Sequence, residues 1–198
     1  RQIMRKILIQ HPTIINEGRH YEGDVLIAGD RVEAVFEGEA PAGVAAEADQ
    51  VIDATGKWLM PGVIDDQVHF RDPGLTYKGD IESESRAAVA GGVTTYMDMP
   101  NTKPQTTTIE ALEWKLNRAA EVSRANYAFF FGGTNDNWEE IRRLDRHRIP
   151  GLKLFLGSST GNMLIDRPEA LERIFGESGL LIAIHAEKEE VIKRNIQH

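Results

Sequence analysis

The stretch Pro61-Gly62-Val63-Ile64-Asp65-Asp66-Gln67-Val68-His69-Phe70-Arg71-Asp72-Pro73-Gly74 decides how the rest of the chain is read. An apolar run opened by one Pro-Gly dipeptide and closed by another is the pattern of a short buried strand whose far end turns into a loop. Alternation along a strand places Gln67, His69 and Arg71 on one face and Val68 and Phe70 on the other. An amide, an imidazole and a guanidinium thereby gather at one strand end. A single histidine on a strand is ordinarily a hydrogen-bonded imidazole and nothing more, so the neighbouring segments decide whether this one has a function.

Before this stretch, residues 1 to 57 read as a small β unit with short strands at Ile7–Ile9, Thr13–Ile15, Asp24–Ala28 and Arg31–Val35. Gly29-Asp30 forms a two-residue hairpin turn between the last two. Residues 38 to 50, rich in Ala, Gly, Pro and Glu, read as a surface loop, and Trp58-Leu59-Met60 leads into the deciding strand. After it, strand and helix patterns alternate, which argues for βα units and a parallel sheet. Helices are expected over Ile81–Ala90, Thr108–Arg124, Trp138–His147, Pro168–Phe175 and from Glu187 onward. Strands are expected over Gly92–Asp98, Tyr127–Phe131, Leu152–Leu156 and Leu180–His185. In the second helix Ile109, Leu112, Leu116 and Ala120 share a face, and Asp166 is the expected N-cap of the fourth. Five βα units do not close an eight-stranded barrel, for which about 250 residues is typical. The 198 residues are therefore expected to be the amino-terminal part of a longer protein. A doubly wound sheet is the structural alternative, but no Gly-rich phosphate loop follows the first strand.

Composition narrows the classes further. With 41% hydrophobic and 27% charged residues, the chain is of ordinary globular make-up. A net charge of −8, from 23 basic and 31 acidic side chains, disfavours a nucleic-acid surface. The absence of cysteine excludes disulfides and thiolate metal sites and fits a reducing, cytoplasmic setting. No apolar run is long enough to span a bilayer.

In a βα barrel the active site lies at the C-terminal strand ends. The first strand delivers His69 and Arg71 there, the second is followed by Met99-Pro100-Asn101-Thr102, the fourth carries Lys153, and the fifth ends in His185-Ala186-Glu187. A lysine inside Gly-Leu-Lys-Leu-Phe-Leu enters a strand expected to be buried. Desolvation lowers its pKa, leaving neutral amine able to react with carbon dioxide to a carbamate whose oxygens bridge divalent cations. The plainer alternative is an amine snorkelling to the barrel mouth. Arg71 offers a planar fork of donors and Asn101 a paired amide, together suited to a carboxylate. The plainer alternatives are an Arg71 salt bridge to Asp72 or Asp98 and turn formation by Asn101. His11, His20, His147 and His198 are assigned no role. Ser158-Ser159-Thr160-Gly161-Asn162 reads as a loop near the site.

These segments resemble the amidohydrolase superfamily, and most closely dihydroorotases. His69-Phe70-Arg71-Asp72-Pro73-Gly74 fits the family's first-strand motif, Met99-Pro100-Asn101-Thr102 its Met-Pro-Asn-Thr signature, and Gly151-Leu152-Lys153-Leu154-Phe155 the segment holding its carboxylated bridging lysine. The resemblance implies a (β/α)8 barrel, with about five units in residues 58–198, preceded by a β-sandwich unit in residues 1–57. It implies metal ligation by His69, Lys153 and His185 and binding of one or two zinc ions. Gln67 stands where the family usually has its first histidine, which puts the more buried metal site in doubt. Arg71 and Asn101 are expected to bind the carboxylate of dihydroorotate. The catalytic aspartate and a further histidine ligand are expected beyond residue 198. The implied activity is reversible hydrolysis of dihydroorotate to N-carbamoyl-L-aspartate in pyrimidine synthesis, by a homo-oligomer. The rival readings are a dihydropyrimidinase, hydantoinase or allantoinase, and a non-catalytic homologue partnering aspartate transcarbamoylase.

Overall fold

The computed structural model describes residues 4–157 and 162–196, and the chain divides into two compact units, Arg1–Pro61 and Gly62–His198. Of the expected loop near the site, Ser158 to Gly161 lie outside the described residues, as does His198.

The first unit contains β1 (Lys6–Gln10), β2 (Thr13–Asn16), β3 (Arg19–Ala28), β4 (Arg31–Glu37), α1 (Ala42–Glu47), β5 (Gln50–Asp53) and β6 (Trp58–Leu59). Its strands form one six-stranded sheet in the order β5-β1-β3-β2-β6, with β4 also pairing β3. Ten-residue β3 pairs with β2 through its first half and with β1 and β4 through its second, which links these strands into one bonded network. Gly29-Asp30 makes the predicted two-residue turn, with Gly29 at φ +60°. Two expectations change. Ala42–Glu47 is a short helix within the predicted loop. Trp58 and Leu59 pair in parallel with Thr13 and Ile14, so the break falls after Pro61 rather than after Lys57.

The second unit alternates β7 (Val63–Val68), α2 (Ile81–Ala90), β8 (Val93–Asp98), α3 (Ile109–Val122), β9 (Asn126–Phe129), β10 (Phe131–Gly132), α4 (Trp138–Ile141), β11 (Leu152–Phe155), α5 (Pro168–Glu177), β12 (Ile182–His185) and α6 (Glu189–Ile196). All strand pairs are parallel, in two sets of sequential neighbours, β7-β8-β9 and β10-β11-β12. Phe129-Phe130-Phe131 joins the sets. The Phe130 N–H donates to Asp98 O on one side and the Phe131 N–H to Gly151 O on the other, at 3.0 and 3.2 Å. The result is a curled α/β arrangement of five strand positions in chain order, the winding that right-handed βα crossovers produce. Its core includes Ile81, Tyr96, Phe129, Phe131, Leu152 and Leu154, all fully buried, each contributing roughly 1.5–3 kcal/mol of burial.

Helix starts follow local chemistry. Asp80 and Ser83 form a reciprocal capping box on α2, and the Thr108 hydroxyl accepts from the Ala111 N–H on α3 at 3.2 Å. Asp166 does not cap α5: its carboxylate accepts from Asn135 Nδ2 at 3.0 Å, and Arg167 takes the cap position without a side-chain bond. The predicted third helix is a single turn, Trp138–Ile141, followed by turns through His147. The buried face of α3 is Leu112, Lys115 and Ala119, while Ala120 is exposed, so the predicted apolar stripe is rotated to admit a lysine.

Candidate active site

The polar residues forecast for the strand ends lie there, with local departures. Strand β7 stops at Val68, and an irregularity between Asp65 and Val68 breaks the strict alternation on which a shared Gln67–His69–Arg71 face was based. The Gln67 N–H donates to the Asp65 carboxylate at 3.1 Å, which marks the kink. Phe70 turns inward, tilted on Tyr96 with ring centroids 4.3 Å apart. His69 and Arg71, either side of it, escape the core. Arg71 has φ +68°, an uncommon conformation for a side chain of its size.

His69 Nδ1 lies 2.9 Å from Asn101 Oδ1, joining the loop after β7 to the loop after β8. With the proton on Nδ1, the imidazole donates to that oxygen and keeps its Nε2 lone pair, and Asn101 keeps its amide N–H groups. Arg71 and Asn101 line one cavity of about 690 Å³ together with Tyr77, Lys78, Lys103 and Gln105. Neither alternative reading of Arg71 is met: Asp72 faces Arg118 at 3.8 Å, Asp98 pairs with Lys115, and among the described residues Arg71 forms no ion pair. Three cationic residues around one cavity favour an anionic ligand.

Lys153 and His185 lie on the adjacent strands β11 and β12. In their register Lys153 stands opposite Ala183, and Phe155 opposite His185. Lys153 is buried with its Nζ 5.3 Å from the Phe155 ring centroid, and that ring stacks on His185 at 6.0 Å. Burial pulls the Lys153 amine below the usual lysine range. His185 Nε2 lies 3.2 Å from Glu187 Oε1, at the solvent edge of the site. Among the described residues no three His, Asp or Glu side chains form a metal-holding group.

Two buried groups that motif reading did not single out organise this region. Asp98, the last residue of β8, accepts from the Phe70 N–H at 2.9 Å and from Lys115 Nζ, and Lys115 reaches Met99 O at 3.3 Å. The available signal was a lysine at the i+3 position between Leu112 and Ala119 on an otherwise apolar helix face.

Residues 56–146 match the family model described as dihydro-orotase-like. Together with the relatives that follow, this match supports an amidohydrolase amino-terminal part. The L-hydantoinase of Paenarthrobacter aurescens is 32% identical over 196 residues, which cover 96% of this chain and 42% of the relative. The dihydroorotase of Halobacterium salinarum is 36% identical over 168 residues, covering 83% and 38%. The solved L-hydantoinase (dihydropyrimidinase) from Arthrobacter aurescens superposes with a TM-score of 0.86 at 32% identity, over 95% of this chain and 42% of that one. The chain therefore spans about two-fifths of the length of these relatives. No described helix is long and apolar enough to cross a membrane.

Proposed function

We propose that these residues form part of the active site of a zinc-dependent dihydroorotase built on a (β/α)8 barrel, which interconverts dihydroorotate and N-carbamoyl-L-aspartate. The observation that carries the reading is the placement of Arg71 and Asn101 in one cavity, each with donors uncommitted to described residues. The Arg71 fork and the Asn101 amide N–H groups bind the substrate carboxylate, while Asn101 Oδ1 holds the His69 ring. His69, through Nε2, Lys153 and His185 would hold the metal. The donor chemistry fits: one imidazole has its second nitrogen fixed by a hydrogen-bond partner, as metal-bound histidines ordinarily do, and the buried amine is of the kind that forms a carbamate. With Gln67 in the exposed, kinked part of β7, a single tightly held ion suffices for this reading. Zinc held by these residues would supply Lewis-acid activation of water and of the ring carbonyl at neutral pH. The chain's own contribution is to fix the carboxylate end of the substrate so that the scissile amide faces the metal ligands, and to exclude anion-free rings from the cationic cavity. A cytoplasmic homo-oligomer, with or without aspartate transcarbamoylase as partner, is the setting this activity implies.

A hydantoinase is the second reading, favoured by the TM-score of 0.86 to the L-hydantoinase structure. Steady-state hydrolysis of dihydroorotate and of a 5-substituted hydantoin by the zinc-loaded full-length protein separates them. Arg71→Met should raise KM for dihydroorotate at least about tenfold, the value of a charge-assisted hydrogen bond, and leave hydantoin kinetics alone. An unchanged KM for dihydroorotate would sink the assignment, as would turnover of the hydantoin alone.

A further inference from the structure

We infer that Lys115 and Asp98 are positioning residues whose buried ion pair sets the spacing between the two loops that carry Arg71 and Asn101. For its kinetic consequence the inference rests on the function proposed above; for its structural consequence it does not. Asp98 and Lys115 are both fully buried. One carboxylate oxygen of Asp98 takes the Phe70 N–H, the amide between His69 and Arg71, at 2.9 Å. The other takes the Lys115 ammonium, which also donates to Met99 O at 3.3 Å, two residues before Asn101. The ammonium further lies 4.7 Å from the Phe129 ring centroid, so nothing about it faces water. One ion pair thus grips the backbone beside both groups of the cavity.

Helix α3 supplies a second grip three residues further on. Arg118 lies 3.8 Å from Asp72, whose carboxylate accepts from the Ile81 N–H at 3.3 Å. Phe70 and Asp72, the two neighbours of Arg71, are therefore both tied down, and Arg71 between them keeps φ +68°. A strained conformation persists where its surroundings over-determine it. Stability alone does not account for the pair, because buried ion pairs are commonly no more stabilising than apolar side chains of the same volume. What apolar side chains cannot supply is an acceptor for the Phe70 N–H and a donor to Met99 O.

The test separates stability from placement with two charge-free double variants of the full-length protein. Asp98→Leu with Lys115→Met removes every one of these bonds without leaving a buried charge. Asp98→Asn with Lys115→Met keeps an oxygen for the Phe70 N–H and, of the two bonds to backbone, loses only the one to Met99 O. Positioning predicts that both fold, and that amide hydrogen exchange in the Leu variant quickens at residues 69–72 and 99–102. Its kcat/KM for dihydroorotate falls about 100-fold, the scale of a 1 Å misplacement, mainly through KM. The Asn variant recovers the first segment and about half the lost factor on a logarithmic scale. Wild-type exchange in both segments, or wild-type KM in a folded Leu variant, overturns the inference. Should the Leu variant fail to fold, the Asn variant decides alone, since unaltered exchange at residues 99–102 refutes the Lys115 grip. If the wild-type protein does not turn over dihydroorotate, the proposed substrate fails, and the exchange data still decide positioning.

Discussion

Replacing Tyr96 by phenylalanine should remove one source of alkaline instability, with a size the structure sets. Tyr96 is fully buried against Phe70, and its hydroxyl donates to Ser123 Oγ at 3.1 Å. Burial, reinforced by the nearby Asp98 carboxylate and opposed by the Ser123 bond, pushes the phenol from 10.0 up to about 12. The unfolded chain releases this proton around pH 10 and the folded chain holds it to about pH 12, so in this window the folded state binds more protons and loses stability as pH rises. At pH 11 the loss is about 1.4 kcal/mol, one pKa unit's worth, and at pH 8.5 it is close to zero. The variant forfeits the bond to Ser123 at either pH, at a cost of about 1 kcal/mol. Tyr96→Phe should therefore be about 1 kcal/mol less stable than wild type at pH 8.5 and about equal at pH 11. With a urea slope of about 2 kcal/mol per molar, unfolding followed by circular dichroism would show a midpoint gap of about 0.5 M that closes between the two pH values. A gap of the same size at both would refute the burial argument.

Gly74 has φ +83°, and a Cβ there would meet Lys103 O at 2.0 Å, so Gly74→Ala should cost about 2 kcal/mol or more, visible as a lowered thermal midpoint. Asp80→Ala removes the capping box of α2 and should cost about 1 kcal/mol, or about 2–4 °C in the melting temperature; an unshifted melt would show that the box is redundant. Lys153→Met should cut zinc-dependent turnover at least about 100-fold. It should also make the folded protein more stable near neutral pH, since burial disfavours the ammonium there. That advantage shrinks as pH rises through the lowered folded-state pKa toward the unfolded value, and a midpoint difference independent of pH would count against a buried amine.

The alternation of strands and helices in the second unit was legible because each strand is a short apolar run between turn residues, and Ile81–Ala90 coincides with its predicted bounds. What failed was local. A strict two-residue period forecast a Gln67–His69–Arg71 face, but the Asp65 side chain captures the Gln67 N–H and kinks the strand. The 138–147 helix shortened because only Trp138–Ile141 keeps helical pairing before the turns at Arg142–His147. Asp166 read as a cap because of its spacing from Pro168, yet Asn135, 31 residues away, competes for it. Only in the last case did a partner far along the chain decide the outcome.

The same reasoning explains why motif residues were readable and their supports were not. His69, Arg71, Asn101 and His185 announce themselves as polar residues at the ends of apolar runs, and Lys153 as a lysine within one. Lys115 lies on a buried helix face and Asp98 closes β8 without belonging to a motif, and each alone is a liability, a charge with no water around it. They are tolerable only as a pair, and the pair exists only once α3 lies on β8, a contact between residues 17 apart that no single-segment pattern encodes. Their cost in isolation is also the reason to expect a function for them. Two oxygens and one ammonium are consumed in holding Phe70 and Met99, and those two residues lie beside Arg71 and two residues before Asn101. A cavity whose groups come from different loops needs such a link, because strand pairing ends at Val68 and Asp98, short of both loops.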